Sequence, residues 1–362
     1  MFETNLDDAL CWRQRLKHMF QSVASSGAAC ASRFARRRRL ACAAAVGGAI
    51  SPLLAVLAPG VARAQLPDLV DLSAQYMPGA AIEDPRPVRA QISSYEVNAN
   101  VPIPLGERTF LIPGATYHVE AISYAGAPPG FDELRAFHAV DVPVLFVQLL
   151  PHDWSLSLRV APGLAGDFEA FDGGLVRVSA LGLVTHTLSE KLVLGGGALA
   201  SYSFGSFLPL PAAYVEWTPS PHFRVEAFLP GFASAKLLFS DRVEVGLRAD
   251  VAGNAYAVRD PRVAGAWPCA AQPADDPATE QDERAARPEQ CLDHVAYSVA
   301  TAGVTLGVRA FSSVWVTAQA GHSLFRRYEP MNDEDDGIPG GGQSIPNVLF
   351  FRAGVTWRIP KS

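Results

Sequence analysis

From about residue 70 onward the chain is written in alternation. Val243, Val245, Leu247, Ala249 and Val251 occupy one parity of a segment whose other parity reads Glu244, Gly246, Arg248 and Asp250. Trp154, Leu156, Leu158 and Val160 stand against Ser155, Ser157 and Arg159, and Phe223, Val225, Ala227 and Leu229 against Arg224 and Glu226. Successive side chains of a strand point to opposite faces, whereas a helix groups apolar residues three and four apart. These segments are therefore two-faced strands whose faces meet different solvents. No linker or shift in composition divides the chain after residue 65, so one large domain is expected. An apolar content of 49% and a mean hydropathy of +0.12 decide nothing, because strands with apolar residues only at alternate positions average out.

Fourteen such segments are expected, at about 70–78, 88–101, 108–124, 137–150, 154–164, 174–188, 191–203, 211–218, 222–229, 233–240, 242–257, 294–310, 313–325 and 347–359. Even-numbered strands end in tight turns such as Pro151-His152-Asp153, Ser189-Glu190-Lys191, Pro219-Ser220-Pro221, Ser240-Asp241-Arg242 and Ser312-Ser313. Odd-numbered strands feed mostly longer connections. Short turns on one side and long loops on the other are the pattern of an antiparallel transmembrane β-barrel of the outer membrane. The expected fold is all-β, a single barrel of about 14 strands within a range of 12 to 16. The longest loops, 258–293 and 326–346, carry eight and five acidic residues and are expected on the outside.

The leader agrees with export. Arg36, Arg37, Arg38 and Arg39 precede an uncharged stretch, Leu40 to Val61, that closes with Ala62-Arg63-Ala64 before Gln65. This reads as a signal peptide over 1–64, cleaved after Ala64, with the barrel in 65–362. An uncleaved anchor helix is the competing reading, and Gly47, Gly48, Pro52 and Pro59 argue against it. The true start codon stays open, with Met19 an alternative. Cleavage would leave a net charge of −12, which disfavours nucleic acid as a partner. Of the five cysteines only Cys269 and Cys291 would remain, bracketing the longest polar insertion. In an exported protein they read as a disulfide closing a surface loop.

Trp154, Trp217, Trp315 and Trp357 fall near the short turns or the terminus on the same side, as an aromatic girdle at one membrane interface would place them. Trp315 sits on the polar parity and fits that girdle less well. In the last strand Arg352, Gly354, Trp357 and Ile359 follow the spacing polar-x-Gly-x-x-aromatic-x-hydrophobic. This resembles the assembly signal of bacterial outer-membrane barrels, and the resemblance implies the barrel-assembly machinery as a partner. Pro360-Lys361-Ser362 follow it, whereas many members end on the aromatic or hydrophobic residue. The stretch 70–359 as a whole resembles an uncharacterised family of Gram-negative outer-membrane barrels carrying a domain of unknown function. That resemblance implies an outer-membrane location among lipid and lipopolysaccharide, and no chemistry.

Charges on the polar parity are the candidate functional residues: Glu96, Arg159, Arg177, Glu216, Arg224, Glu226, Glu244, Arg248, Asp250, Arg309 and Arg352. In a pore they set a transverse field; in a closed barrel they pair and fill the lumen. Both readings stay open here. Histidine with serine two residues away on one strand face, as a membrane hydrolase of this shape would need, is not found within the expected strands; the one such spacing, Ser220 and His222, falls at the tight turn Pro219-Ser220-Pro221. His118 shares its face with Thr116 and Glu120, but a lone lumen histidine is more often a hydrogen-bonded wall residue, so no enzyme is expected. Asn332, Glu334, Asp336 and Gly337 resemble the opening of a calcium loop, yet Gln343 stands where the bidentate Glu is needed. A solvated acidic loop is the better reading, with divalent cations bridging it to lipopolysaccharide as a secondary one. No catalytic residue, metal or cofactor is expected.

A cylinder of fourteen strands is wide enough that side chains alone need not fill it. The leading expectation is therefore a porin-like passive channel for small solutes. The alternative is a closed structural or surface-interaction barrel, blocked by ion pairs or by Gly340-Gly341-Gly342 folding inward; a membrane-embedded enzyme comes third. Solute, partner and oligomeric state are not legible in the sequence.

Overall fold

A computed structural model describes residues 67–82, 88–125, 134–203, 206–260, 292–332 and 343–358. They form one closed antiparallel barrel of fourteen strands. In chain order these are β1 Val70–Ile82, β2 Val88–Asn100 prolonged by Ile103–Pro104, β3 Thr109–Ala125, and β4 Leu134–Asp141 continued by Val144–Leu149. Next come β5 Trp154–Gly166, β6 Val176–Ser189, β7 Leu192–Ser203, β8 Ser206–Ser220, β9 Phe223–Leu229 and β10 Phe232–Ser240. β11 Val243–Ala257, β12 His294–Arg309, β13 Val314–Met331 and β14 Leu349–Trp357, with Gln343–Ser344 ahead of it, complete the wall. β1 pairs with β2 on one side and β14 on the other, which leaves the wall no terminal edge. A 3₁₀ turn, Gly173–Leu175, is the one helical element among the described residues.

The alternation sorts the barrel into two surfaces. Leu72, Tyr76, Tyr95, Val97, Leu158, Val160, Leu237, Leu247, Val304, Leu306, Val316 and Phe351 are exposed on the outside, as an apolar belt facing hydrocarbon would be. The alternate residues point inward. At the end of the barrel that carries the longest connections, the inward side chains make a packed core. Met77, Ile92, Ile122, Phe137, Tyr256, Val295, Tyr297 and Phe350 are all buried there against one another.

This mouth is packed because β11 leaves the cylinder. Its end reaches the end of β5, where Ala257 and Gly166 form a parallel bridge and the Asp167 amide donates to the Ala257 carbonyl at 3.0 Å. Glycine is required at the crossing: a Cβ on Gly166 would lie 2.5 Å from the Leu175 side chain and 3.0 Å from the Ala257 carbonyl oxygen.

Strand boundaries differ from expectation where proline or bulging intervenes. β8 begins at Ser206 rather than near 211, running through Pro209 and Pro211 because they lie in a stretch paired on one side only. β13 continues to Met331 past a bulge at Ala300/Thr301 of its partner. β4 is interrupted at Val142-Pro143. Not every connection at the mouth is long, since β9 and β10 are joined by Pro230-Gly231 alone. Trp154 and Trp217 are exposed on the outer face near the short turns, and Trp357 shares that face. Trp315 is excluded from the girdle: it points inward, beneath the Arg358 guanidinium at 4.3 Å. The leader 1–64, the cleavage site Ala62, Ala64 and Gln65, Cys269 and Cys291, Ile359, Gly340–Gly342, and Glu334, Asp336 and Gly337 lie outside the described residues.

Candidate functional site

Every charged residue picked from the alternation lies on the lumen side, and most have partners on neighbouring strands. At the centre Asp250 (β11) holds two guanidinium groups, Arg248 at 2.7 Å and Arg352 (β14) at 3.3 Å. Arg352 also donates to Gln75 at 2.5 and 2.9 Å and to Gln319 at 3.3 Å. Arg248 lies 4.8 Å from the centre of the Phe232 ring. Toward the short turns, Glu244 accepts from Lys236 at 3.2 Å and Arg358 at 3.0 Å. Arg224 pairs with Glu216, which faces Glu226 directly across the β8–β9 ladder. Arg159 lies in the fields of Asp141 and Arg177, and Arg309 stands opposite Trp315.

Toward the mouth, a polar chain crosses from wall to wall. Arg177 (β6) grips Asp141 (β4) at 2.5 and 2.9 Å and donates to Asn254 on β11. The Asn254 amide donates to the Tyr256 hydroxyl at 2.9 Å, and that hydroxyl donates to buried Glu120 (β3) at 3.0 Å. His118 lies 4.0 Å from Glu120 and 3.4 Å from Glu96, which accepts from Asn98. The Thr116 hydroxyl donates to Asn98 at 2.6 Å. Thus His118 is held by two carboxylates rather than set against a nucleophile.

Alternation alone did not single out Asp141, Lys236, Gln75, Gln319, Arg358, Asn254 or Tyr256, though each completes a contact named above. Asp141 and Lys236 were findable from strand parity. Tyr256 was not, because its partner on β3 lies across the lumen and no local pattern signals that contact.

A second cluster fastens the end of β11 outside the strands. Arg259 bridges Asp172 at 2.5 Å and Asp293 at 2.9 Å, while Asp167 accepts the Arg259 and Asp260 amides at 2.7 and 2.8 Å. The Arg259 hydrogen bond holds the Asp172 carboxyl below its ordinary value. Asp293 is likewise lowered, first by its hydrogen bond to His294 and then by the Arg259 charge, against an opposing cost of burial.

Of the C-terminal pattern, Arg352 and Gly354 face the lumen and Trp357 faces out. A Cβ on Gly354 would approach the Leu72 carbonyl and the Thr317 hydroxyl to 3.0 Å.

Residues 134–264 match a family described as a domain of unknown function, DUF6268. The match spans β4 to β11 and so includes the Arg177, Arg248 and Asp250 contacts. No curated protein matches the sequence. Among solved structures the chain is similar to the COG4313 outer membrane channel from Pseudomonas putida F1, at 9% identity and a TM-score of 0.39, over 80% of this chain and 96% of that one. It is also similar to a deltaS2S3 mutant of the TodX monoaromatic hydrocarbon channel, at 10% identity and a TM-score of 0.36, over 80% and 90% of the two chains. The NanC porin aligns at 8% identity with a TM-score of 0.31, over 80% and 99%.

Proposed function

We propose that this chain is an outer-membrane barrel that lets small solutes pass passively, with the charged lumen setting which of them pass. The observation that carries this reading is the state of the lumen charges. Arg248 and Arg352 lie inside a closed wall, yet their side chains remain 33% and 27% accessible to water. Charges that filled the bore by pairing would be dry. The belt of exposed apolar residues supports a bilayer location, and the leader and C-terminal pattern support export and handling by the barrel-assembly machinery among outer-membrane lipid and lipopolysaccharide. A channel is favoured over an enzyme because Thr116, the hydroxyl on the His118 face, is committed to Asn98.

A second reading has one observation in its favour: the apolar packing around Tyr256 obstructs the axial route at the mouth, as a closed structural or interaction barrel requires. Liposome swelling separates the two. Vesicles carrying the purified protein should swell in arabinose, glucose and maltose at rates that fall with sugar size. If folded protein swells vesicles in none of them beyond the protein-free rate, the closed barrel is the correct reading.

A further inference from the structure

The wall of the barrel is not equally tall all the way round. β9 has seven residues and β10 nine, between neighbours of fifteen. β9 first meets β8 at Ala213, so among the described residues Ser206–Ala212 pair only with β7. β10 meets β11 no further than Asp250, and one further bond, from the Val251 amide to the Gly231 carbonyl at 2.8 Å, ends the seam. Beyond it, Ala252–Tyr256 have β12 on one side and, among the described residues, no sheet partner on the other, until Ala257 bridges Gly166 of β5. Two strand edges therefore face each other above the Pro230-Gly231 turn. Seven residues of β8 correspond to about 23 Å of open edge at the usual rise of a strand.

Unpaired strand edges are costly in hydrocarbon, where amide groups find no water. Both of these edges are adapted to that setting. Pro209 and Pro211 lie two apart, so their ring nitrogens face the same side of β8, and neither carries an N–H to leave unsatisfied. Across the gap the Ala255 amide is capped by the Asn254 side-chain oxygen at 3.1 Å. The gap also lies at the depth of the apolar belt. Val176, Tyr202 and Phe207 carry exposed apolar surface to the ends of β6, β7 and β8 beside it, and Leu229 and Val251 do so along its sill.

Behind the gap the inner wall carries an apolar row, Leu210 on β8, Leu199 on β7 and Leu181 on β6, with Leu183 below it and Phe228 and Phe232 along the sill, while Leu208 above it stands beside Ser201 and Ser179. Leu208 belongs to the inward parity and is nonetheless 55% exposed. The packed mouth stands over this vestibule, because β11 has crossed to β5. The vestibule reaches Arg248 at the Phe232 ring, so an apolar surface leads directly to the charged lumen.

We propose that this gap is a lateral port through which small apolar or amphiphilic molecules dissolved in the outer leaflet exchange with the lumen. The proposal rests on the channel reading above and names its substrate class. The test uses the full chain, with all native cysteines changed to serine, purified from the outer membrane of a Gram-negative host. Bimane is attached at Leu210→Cys, Phe207→Cys or Leu183→Cys, and the protein is placed in phosphatidylcholine brominated on its acyl chains. The port predicts that the inward-facing Leu210→Cys label is quenched as strongly as the outward Phe207→Cys label, while Leu183→Cys, behind continuous wall, keeps its emission. It also predicts that cells producing the protein take up N-phenyl-1-naphthylamine faster than cells without it, and that Leu210→Trp together with Ala252→Trp removes the difference.

Protection of Leu210→Cys equal to that of Leu183→Cys would mean a sealed wall and overturn the port. Naphthylamine uptake unchanged by the double tryptophan variant would overturn it equally. Sugar swelling reports on the channel reading separately: its absence with Leu210→Cys quenched would remove the polar pathway and leave the opening.

Discussion

Asp250 shows how the lumen is organised residue by residue: one carboxylate serves two guanidinium groups, and the amides of Gln75 and Gln319 take the remaining donors of Arg352. The sequence revealed the charges because strand parity exposes them, and it concealed the pairing because Gln75 and Arg352 are separated by nearly the whole barrel. Tyr256 joins two walls, donating a hydrogen bond to Glu120 and accepting one from Asn254. Tyr256→Phe keeps the ring packed on Phe137 at 5.1 Å and removes only the hydroxyl. It leaves a buried carboxylate without its donor, which costs about 1–3 kcal/mol. Urea unfolding followed by tryptophan fluorescence should show the midpoint falling accordingly; an unchanged midpoint would mean that the polar chain across the mouth contributes nothing.

Among the elements β11 is the exceptional one. Its first half is an ordinary wall strand, and the alternation from Val243 to Val251 announced it. Its second half crosses to β5, which nothing in the local pattern indicates, because Gly253 to Ala257 still alternates while the contacts that bend it come from β3, β5 and β6. The alternation gave β8 a start near 211, whereas the strand begins at Ser206, and Pro209 and Pro211 mark its open edge.

The Arg259 cluster gives β11 a dependence on pH. Asp172 and Asp293 have folded values below the ordinary 3.8. Their contribution is therefore present above 3.8 and is lost as pH falls through the lowered values. Acidification below the ordinary carboxylate range should loosen the end of β11, and Arg259→Gln should do so at neutral pH. Amide hydrogen exchange over residues 252–260 is the readout. Exchange there that is indifferent to both changes would show that the cluster does not fasten the strand.

At the scale of the whole molecule, two-faced strands, tight turns on one side and a closing first-to-last pairing yield a barrel, and that much could be read from the sequence. The uneven height of its wall could not, since strand length depends on partners rather than on pattern. What results is a wet, charged lumen below a packed mouth, and single-channel conductance of the refolded full chain in planar bilayers tests that account most directly. Protein shown to be folded by its different migration on SDS gels before and after boiling should give discrete steps. Arg248→Glu should shift the reversal potential toward cation selectivity, and Tyr256→Ala, which thins the packed mouth, should enlarge the steps. Silence from folded wild type and folded Tyr256→Ala alike would contradict it, because a hydrated lumen relieved of its packing has to conduct.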